Sequence, residues 1–319
     1  MRRYGLPATV ALATLVLFGV SAALLVFDGR VNGADALRTG GLAAGSVVAL
    51  YALWLNDRRR RVDESRQQLE GARTDLDRER IADERFARAV ELLGHEADQV
   101  RVGALHALAA LARSSPGHTQ TVLDVLCSYL RRPFAHPRYA DEGEWERDER
   151  NAADRELQVR LTAQRLVTDL LPEVGADAPA YDLDFTNATL EYFDLSGRRV
   201  GTLVARYARL FHDNNLSRCD VIGPVWMTGA STHAGGRFRC RDAVFRSRAQ
   251  FAGVEFGGPV WFDRSVFHGV ADFHGAALHS EVSFADCRFE DVAKFADVTC
   301  ADTDLAALLE EAAVPPTHG

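Results

Sequence analysis

Apolar residues first run unbroken and then settle into periods. Residues 5–27, GLPATVALATLVLFGVSAALLVF, carry no charge from end to end and are long enough to cross a bilayer with some tilt. A secretory signal has a shorter apolar centre and a small-residue cleavage site behind it, whereas Leu24, Leu25, Val26 and Phe27 carry this stretch on to Asp28. Cleavage after Ser21-Ala22-Ala23 is the weaker alternative. A second run, at 41–55, is shorter and reaches spanning length when Thr39 and Gly40 join it and Arg38 snorkels to the headgroups. The pattern predicts a transmembrane helical hairpin over 1–57, with spans at about 5–27 and 39–55. Arg2 and Arg3 precede it, Arg58 to Arg61 follow it, and the loop between the spans balances its charges. The positive-inside rule then puts both termini in the cytoplasm.

Residues 58–92 are densely and evenly charged, contain no proline, and carry Val62, Leu69 and Leu76 seven apart. A charged juxtamembrane helix is expected. Three heptad positions leave self-association as a homo-oligomer open beside a single solvated stalk. Residues 93–180 read as an α-helical adapter. Val100, Ala104, Leu105, Leu108 and Leu111 recur at helical spacing, Ser114-Ser115-Pro116-Gly117 breaks the run, and Val122, Leu123, Leu126 and Leu130 resume it. Residues 136–156 are rich in charge and read as an exposed loop leading into a helix at LQVRLTAQRLVTDLL.

The C-terminal third has a longer rhythm. In FAGVEFGGPVWFDRSVFHGVADF, residues 251–273, phenylalanine returns after five, six, five and six residues. A second apolar position lies two residues before each large one: Ala249-x-Phe251, Val254-x-Phe256, Val260-x-Phe262, Ser265-x-Phe267, and on to Ala293-x-Phe295. Residues two apart in an extended segment face one side, so each unit is a short strand pointing a small and a large residue inward, followed by a corner. This pattern resembles the pentapeptide-repeat family, whose units coil into a right-handed four-sided β-helix with one unit per side. The resemblance covers about 181–305 and is more regular upstream, where Phe185, Leu190, Leu195 and Val200 are evenly spaced by five. It implies a C-terminal right-handed quadrilateral β-helix, a pentapeptide-repeat solenoid, and with the hairpin and adapter above the expected fold class is a membrane-anchored α + β chain. The sixth residue of alternate units must be absorbed at a corner or bulge. Each coil is then a five-six-five-six set, in which Phe251, Phe273 and Phe295 stack, as do Phe262 on Phe284 and Phe267 on Phe289. Residues 211–240 are ragged and are expected to contain a loop. DLAALLEEAA, from Asp304, reads as a short helix covering the last coil, with a cap and tail over 306–319.

Composition narrows the function. The chain has 319 residues, a net charge of −8 and a pI near 5.7, which argues against a direct nucleic-acid partner. Lys294 is the one lysine and follows Ala293, so a phosphate-cradling Gly-Lys-Ser/Thr loop is excluded. The bias to arginine and alanine is that of a GC-rich bacterial genome. Cys127, Cys219, Cys240, Cys287 and Cys300 form no C-x-x-C pair and read as reduced, buried residues. His95-Glu96 lacks the second histidine of a zinc pair, and His268, His274 and His279 fall on three different sides of a four-sided coil, so neither group makes a metal site. No catalytic, cofactor-binding or metal-binding residue is assigned and no cofactor is implied. The expectation is a non-enzymatic scaffold in the bacterial inner membrane, with the bilayer and an unidentified protein as partners. The alternative follows from the family resemblance: some members mimic DNA and bind a topoisomerase, and 12 acidic against 5 basic residues between Phe245 and Glu311 allow it.

Overall fold

The computed structural model describes residues 5–27, 33–139 and 144–301, and the chain divides into two compact units, 1–80 and 81–319. In the first unit, helix α1 (Gly5–Phe27) packs on the start of helix α2 (Gly33–Leu93). Among described side chains of residues 8–57, the buried positions are Ala13, Ser21, Ala36 and Gly40, all small. The Ser21 hydroxyl donates to the Ala36 carbonyl at 3.0 Å, and a Cβ on Gly40 would strike the Leu17 carbonyl and Ser21. The large apolar residues Leu15, Phe18, Val26, Leu42 and Leu50 point outward. The backbones thus approach closely through small residues and leave an apolar exterior. The second apolar segment is helical from Gly33, six residues before its expected start, and α2 runs without a break past Arg58 to Leu93. The expected division at 57/58 is therefore no boundary of secondary structure.

The second unit begins with the C-terminal part of α2 and three further helices, α3 (Asp98–Ser114), α4 (Thr119–Leu130) and α5 (Arg147–Leu170). Helix α5 starts ten residues before its expected beginning at Leu157. Glu146 and Glu149 form a reciprocal capping box at its N-terminus, a signal hidden in the charge-rich stretch. The apolar faces of α3, α4 and α5 share one core with the first coil of the C-terminal domain, including Leu166, Val167, Leu171, Leu183 and Phe185. Gln120 of α4 acts as a substitute strand: its amide accepts from the Asp182 N–H at 2.8 Å and donates to the Asp182 carbonyl at 2.9 Å. The helical layer thus satisfies the edge of the first strand, β1 (Tyr181–Asp184).

From β1 onward the chain is a β-solenoid of about five turns, all its strand ladders parallel. Four ladders make four sides. One stacks Val221, Phe245, Phe267 and Phe289, and the next Val225, Ala249, Ala271 and Ala293. The third runs from Leu190 in β2 (Thr189–Glu191) through Leu210, Thr232, Phe256 and Leu278 to Cys300, and the fourth through Asn214, Phe238, Val260 and Val282. Strand β3 (Arg199–Val204) bends around a corner and belongs to the first two sides at once.

Corner chemistry explains the alternating five and six. A five-residue step passes through a tight turn in which the residue after the next takes a left-handed backbone. The Ser265 N–H donates to the Phe262 carbonyl at 3.0 Å with Arg264 at φ 56°, and Gly253, Gly275 and Asp286 hold the same place. A six-residue step passes through an open bend such as Gly257-Gly258-Pro259, where the extra residue lies. One turn of the coil carries the chain from Ala249 to Ala271, and the next from Ala271 to Ala293, the expected five-six-five-six set. The turn from Val225 to Ala249 is two residues longer, the added pair falling between Thr232 and Phe238. Residues 211–240 therefore contain a wider corner, not the expected loop.

Glycines at open bends are required by contact and those at tight turns by φ. A Cβ on Gly258 would run into the Gly236 carbonyl of the coil below, whereas one on Gly253 (φ 62°) meets nothing within 4 Å. Gly258→Ala should lower stability by about 1–3 kcal/mol through overpacking, and Gly253→Asn by less, because asparagine tolerates the left-handed region. Thermal melting of both variants in the full-length protein checks the order; equal losses would remove the close-approach explanation.

Candidate functional site

Several clusters on and against the solenoid have the density of polar contacts that marks either a lock or a site. Strand β2 turns Glu191 outward, but residues 136–139 lie over it, and it is 1% exposed. Arg138 Nη1 donates to its Oε1 at 2.8 Å, the Tyr139 hydroxyl donates to Oε2, and His212 Nε2 lies 3.2 Å from Oε1. Its backbone N–H donates to the Gln164 amide oxygen at 3.1 Å. Burial, and then the bond to Glu191, push the Tyr139 phenol far above its ordinary value, so it stays a donor. The Tyr139 ring rests on Phe211 with centroids 4.2 Å apart. His136, expected in an exposed loop, is buried with its Nε2 3.0 Å from Asp154. A carboxylate occupied by so many donors is a lock joining strap, helix α5 and first coils, not a general base.

Beneath the strap, Arg160 of α5 is 1% exposed. Its guanidinium donates to the Leu130 carbonyl and, at 3.3 and 3.5 Å, to those of Arg132 and Tyr129, and it lies 4.8 Å from the Phe134 ring centroid. These carbonyls lie at and just past the C-terminus of α4, where a cation is favoured, and that of Tyr129 also accepts the Arg132 N–H at 3.3 Å. Burial holds the Arg160 pKa below its ordinary value. Nearby, Tyr129 donates to Glu156 at 2.9 Å and Arg101 pairs with the same carboxylate, tying α3, α4 and α5 together. Burial, and then Glu156, push the Tyr129 phenol up to about 12.

The outward surface of the first coils carries aromatic rings at left-handed corner positions. Tyr192, Tyr207 and His212 have φ of 53°, 56° and 55°, a region that costs a bulky residue about 1–2 kcal/mol. Yet Tyr192 and Tyr207 are 56% and 59% exposed. The Tyr192 ring stacks on His212 at 4.7 Å, and the Tyr207 ring covers Gly229. Arg206 lies 4.8 Å from the Trp226 ring centroid, and Arg241 lies 4.9 Å from that of Trp261. Tyrosine, tryptophan and arginine are the residues that dominate protein-interface energetics.

Charges on the solenoid are largely paired between coils. Arg218, Asp242, Arg264 and Asp286 occupy equivalent left-handed corner positions, with φ of 58°, 56°, 56° and 56°. Arg264 grips Asp242 with two bonds of 2.7 Å and holds its carboxyl below the usual range. Arg246 takes Asp220 through two bonds of 2.6 and 3.1 Å, and Arg241 takes Asp263 at 2.9 Å.

His268, His274 and His279 are exposed, each at a different corner or side. His268 Nδ1 lies 2.6 Å from Glu290 and His274 Nδ1 lies 3.7 Å from Asp297, partners one coil further along. His95 accepts the Ala97 N–H at 3.0 Å. Among the described residues no group of three histidine, cysteine or acidic side chains is placed to hold a metal. Four cysteines are buried and Cys300 partly exposed, with no disulfide. Two open apolar grooves lie in the helical layer. One, of about 740 Å³, lies between α2 and α3, lined by Ile81, Leu92, Ala107 and Leu111; the other, of about 430 Å³, lies between α2 and α4, lined by Val90, Val125 and Tyr129. Sequence reading missed the Glu191 lock, Arg160 and the strained tyrosines. Only His212, a large residue placed just after a repeat phenylalanine, leaves a trace of them in the pattern.

The filled four-sided coil defines the chain as a β-solenoid repeat protein, a class suggestive of protein-interaction modules and typically non-catalytic. The sequence profile described as pentapeptide repeats (9 copies) matches residues 262–307. Profile and coil together fit a pentapeptide-repeat protein. Neither the curated proteins nor the solved structures gave a match.

Proposed function

We propose that this protein is a non-enzymatic scaffold, tethered in a bacterial inner membrane by the hairpin of residues 1–57 with both termini in the cytoplasm, whose solenoid binds a protein partner. The observation that carries this reading is one chain holding both a helix pair with its large apolar side chains outward and a repeat coil with its aromatic side chains inward. The segment Gly33–Asp57 is long and apolar enough to span a bilayer, with a mean hydropathy of 1.3 over its best window. Exposed Tyr192, Tyr207 and Arg206, with half-buried Trp226, supply a binding face of the residue types that dominate interface energetics.

The test is capture from the native host under mild detergent with the full-length protein. A reproducible partner is expected, and the double variant Tyr192→Gly/Tyr207→Gly should lose most of that capture while melting no lower than the parent, because glycine relieves the left-handed strain. The absence of any reproducible partner with an intact solenoid sinks the scaffold reading. Retained capture by the double variant moves the face elsewhere. The acidic surplus after Phe245 supports a second reading, mimicry of DNA toward a topoisomerase, but within it Asp263 already holds Arg241. Inhibition in a supercoiling assay would favour it.

A further inference from the structure

Charge is uneven along the solenoid. Residues 198–248 carry ten arginines against Asp213, Asp220 and Asp242, whereas residues 249–301 carry eight acidic residues against Arg264, Arg288 and Lys294. The earlier coils are net +7 and the later ones net −5. All of these lie among the described residues, and the expected cap from Asp304 lies outside them. A rod with a basic and an acidic half meets its own complement when a second copy lies alongside it in the opposite direction, and long-range attraction of that kind steers association.

One corner carries this pattern residue by residue. Arg218, Asp242, Arg264 and Asp286 succeed one another on the corner between the fourth and the first sides, where the Arg218, Asp242 and Arg264 N–H groups donate to the Arg241, Asp263 and Ala285 carbonyls of the coil above. All four side chains are exposed. Neighbouring coils lie about 4.8 Å apart, so the column is an even file of alternating charge, and turned end for end it sets an acid against every base. The two inner members already hold each other. The outer two, Arg218 and Asp286, make no side-chain hydrogen bond or ion pair among the described residues and meet the column only through its field. We propose that two copies of this chain associate side by side and antiparallel along this corner, about a twofold axis between the levels of Asp242 and Arg264, so that Arg218 of each meets Asp286 of the other. The same reversal sets Arg239 and Arg241, on the fourth side, against Trp261 and Asp263, which lie one coil further along. Such a contact is isologous, as a closed pair requires, and it is separate from any pairing through the heptad positions of α2. Exposed ion pairs are individually weak and screened by salt, so the association is weak and salt-sensitive.

Sedimentation velocity of the purified full-length protein in a nonionic detergent, at about 50 and about 500 mM NaCl, tests this. The parent should pair reversibly at low salt and dissociate at high salt. Arg218→Asp and Asp286→Arg each put at the corner a residue type that it already holds at Asp242 and Arg264. Each should weaken pairing about tenfold, because the reversal acts twice across the twofold contact. Both reversals in one chain restore opposite charges between copies and should return the affinity to within about threefold of the parent, a rescue that damage to the fold would not give. Should a reversal unfold the coil, Arg218→Asn and Asp286→Asn carry the test, each expected to weaken pairing about threefold. A parent that stays monomeric at low salt overturns the proposal. So does a dimer that ignores salt and both reversals, since its contact then lies elsewhere, and so does a double reversal weaker than either single one.

Discussion

Phe273→Asp in the full-length protein is expected to abolish the cooperative melting of the solenoid. Phe273 lies between Phe251 and Phe295, with centroids at 4.9 and 5.1 Å and planes within 7° and 3°, and Phe262 and Phe284 meet its edges at 5.5 and 5.6 Å. Removing a buried phenylalanine costs about 3–5 kcal/mol, and the buried carboxylate adds several more because no donor faces it. In a coil stabilised by neighbours only, a break at this level separates the last coil from those below. Phe273→Leu should retain folding with a loss of about 1–2 kcal/mol. Circular dichroism melting of the three proteins checks this; an Asp variant melting with the parent would mean that the rings are not the core. The same substitution at Phe295, which has one stacking neighbour among the described residues, should cost less.

These stacks were legible because a solenoid writes its geometry into one short period. Alternating spacings of five and six bring each ring back over the one a full coil before it, and Phe262 does lie on Phe284 at 5.2 Å and Phe267 on Phe289 at 5.0 Å. The corner rule was half legible. Gly253 and Gly275 announce a left-handed turn, but Arg264 adopts the same backbone and nothing in its residue type says so. Its two bonds to Asp242 depend on a residue one full coil away. Asn214, fully buried in the fourth side, was illegible for a like reason: a polar residue stands where the pattern wants an apolar one, and its amide donates to the Phe211 and His212 carbonyls at 3.1 and 3.2 Å. The strap failed differently. Residues 136–139 look exposed by composition, and only a buried Glu191, far from Arg138 along the chain, turns them into a lock. Local pattern finds elements, while long-range polar pairing decides which loops they hold.

Arg160→Met should destabilise the helical layer by about 1–3 kcal/mol although methionine fills much of the same volume. Replacing a buried ion pair by apolar residues is often neutral because both charges leave. Arg160 is different: its hydrogen bonds go to the carbonyls of Tyr129, Leu130 and Arg132, and although the Tyr129 carbonyl keeps the Arg132 N–H at 3.3 Å, that of buried Leu130 loses its donor, at about 1–3 kcal/mol. The guanidinium also holds Phe134 at the root of the strap. Its loss should therefore free Tyr139 from Phe211 and loosen the lock on Glu191 before the solenoid itself melts. Hydrogen exchange separates the two levels: the Tyr139 amide, bonded to the His136 carbonyl at 3.0 Å, should lose protection in the variant, while Phe251 and Phe273 amides in the coil keep theirs. Arg160→Lys should fall between, keeping the charge but reaching fewer carbonyls. Equal protection of Tyr139 in all three proteins would show that the α4 terminus, and not Arg160, sets the strap in place.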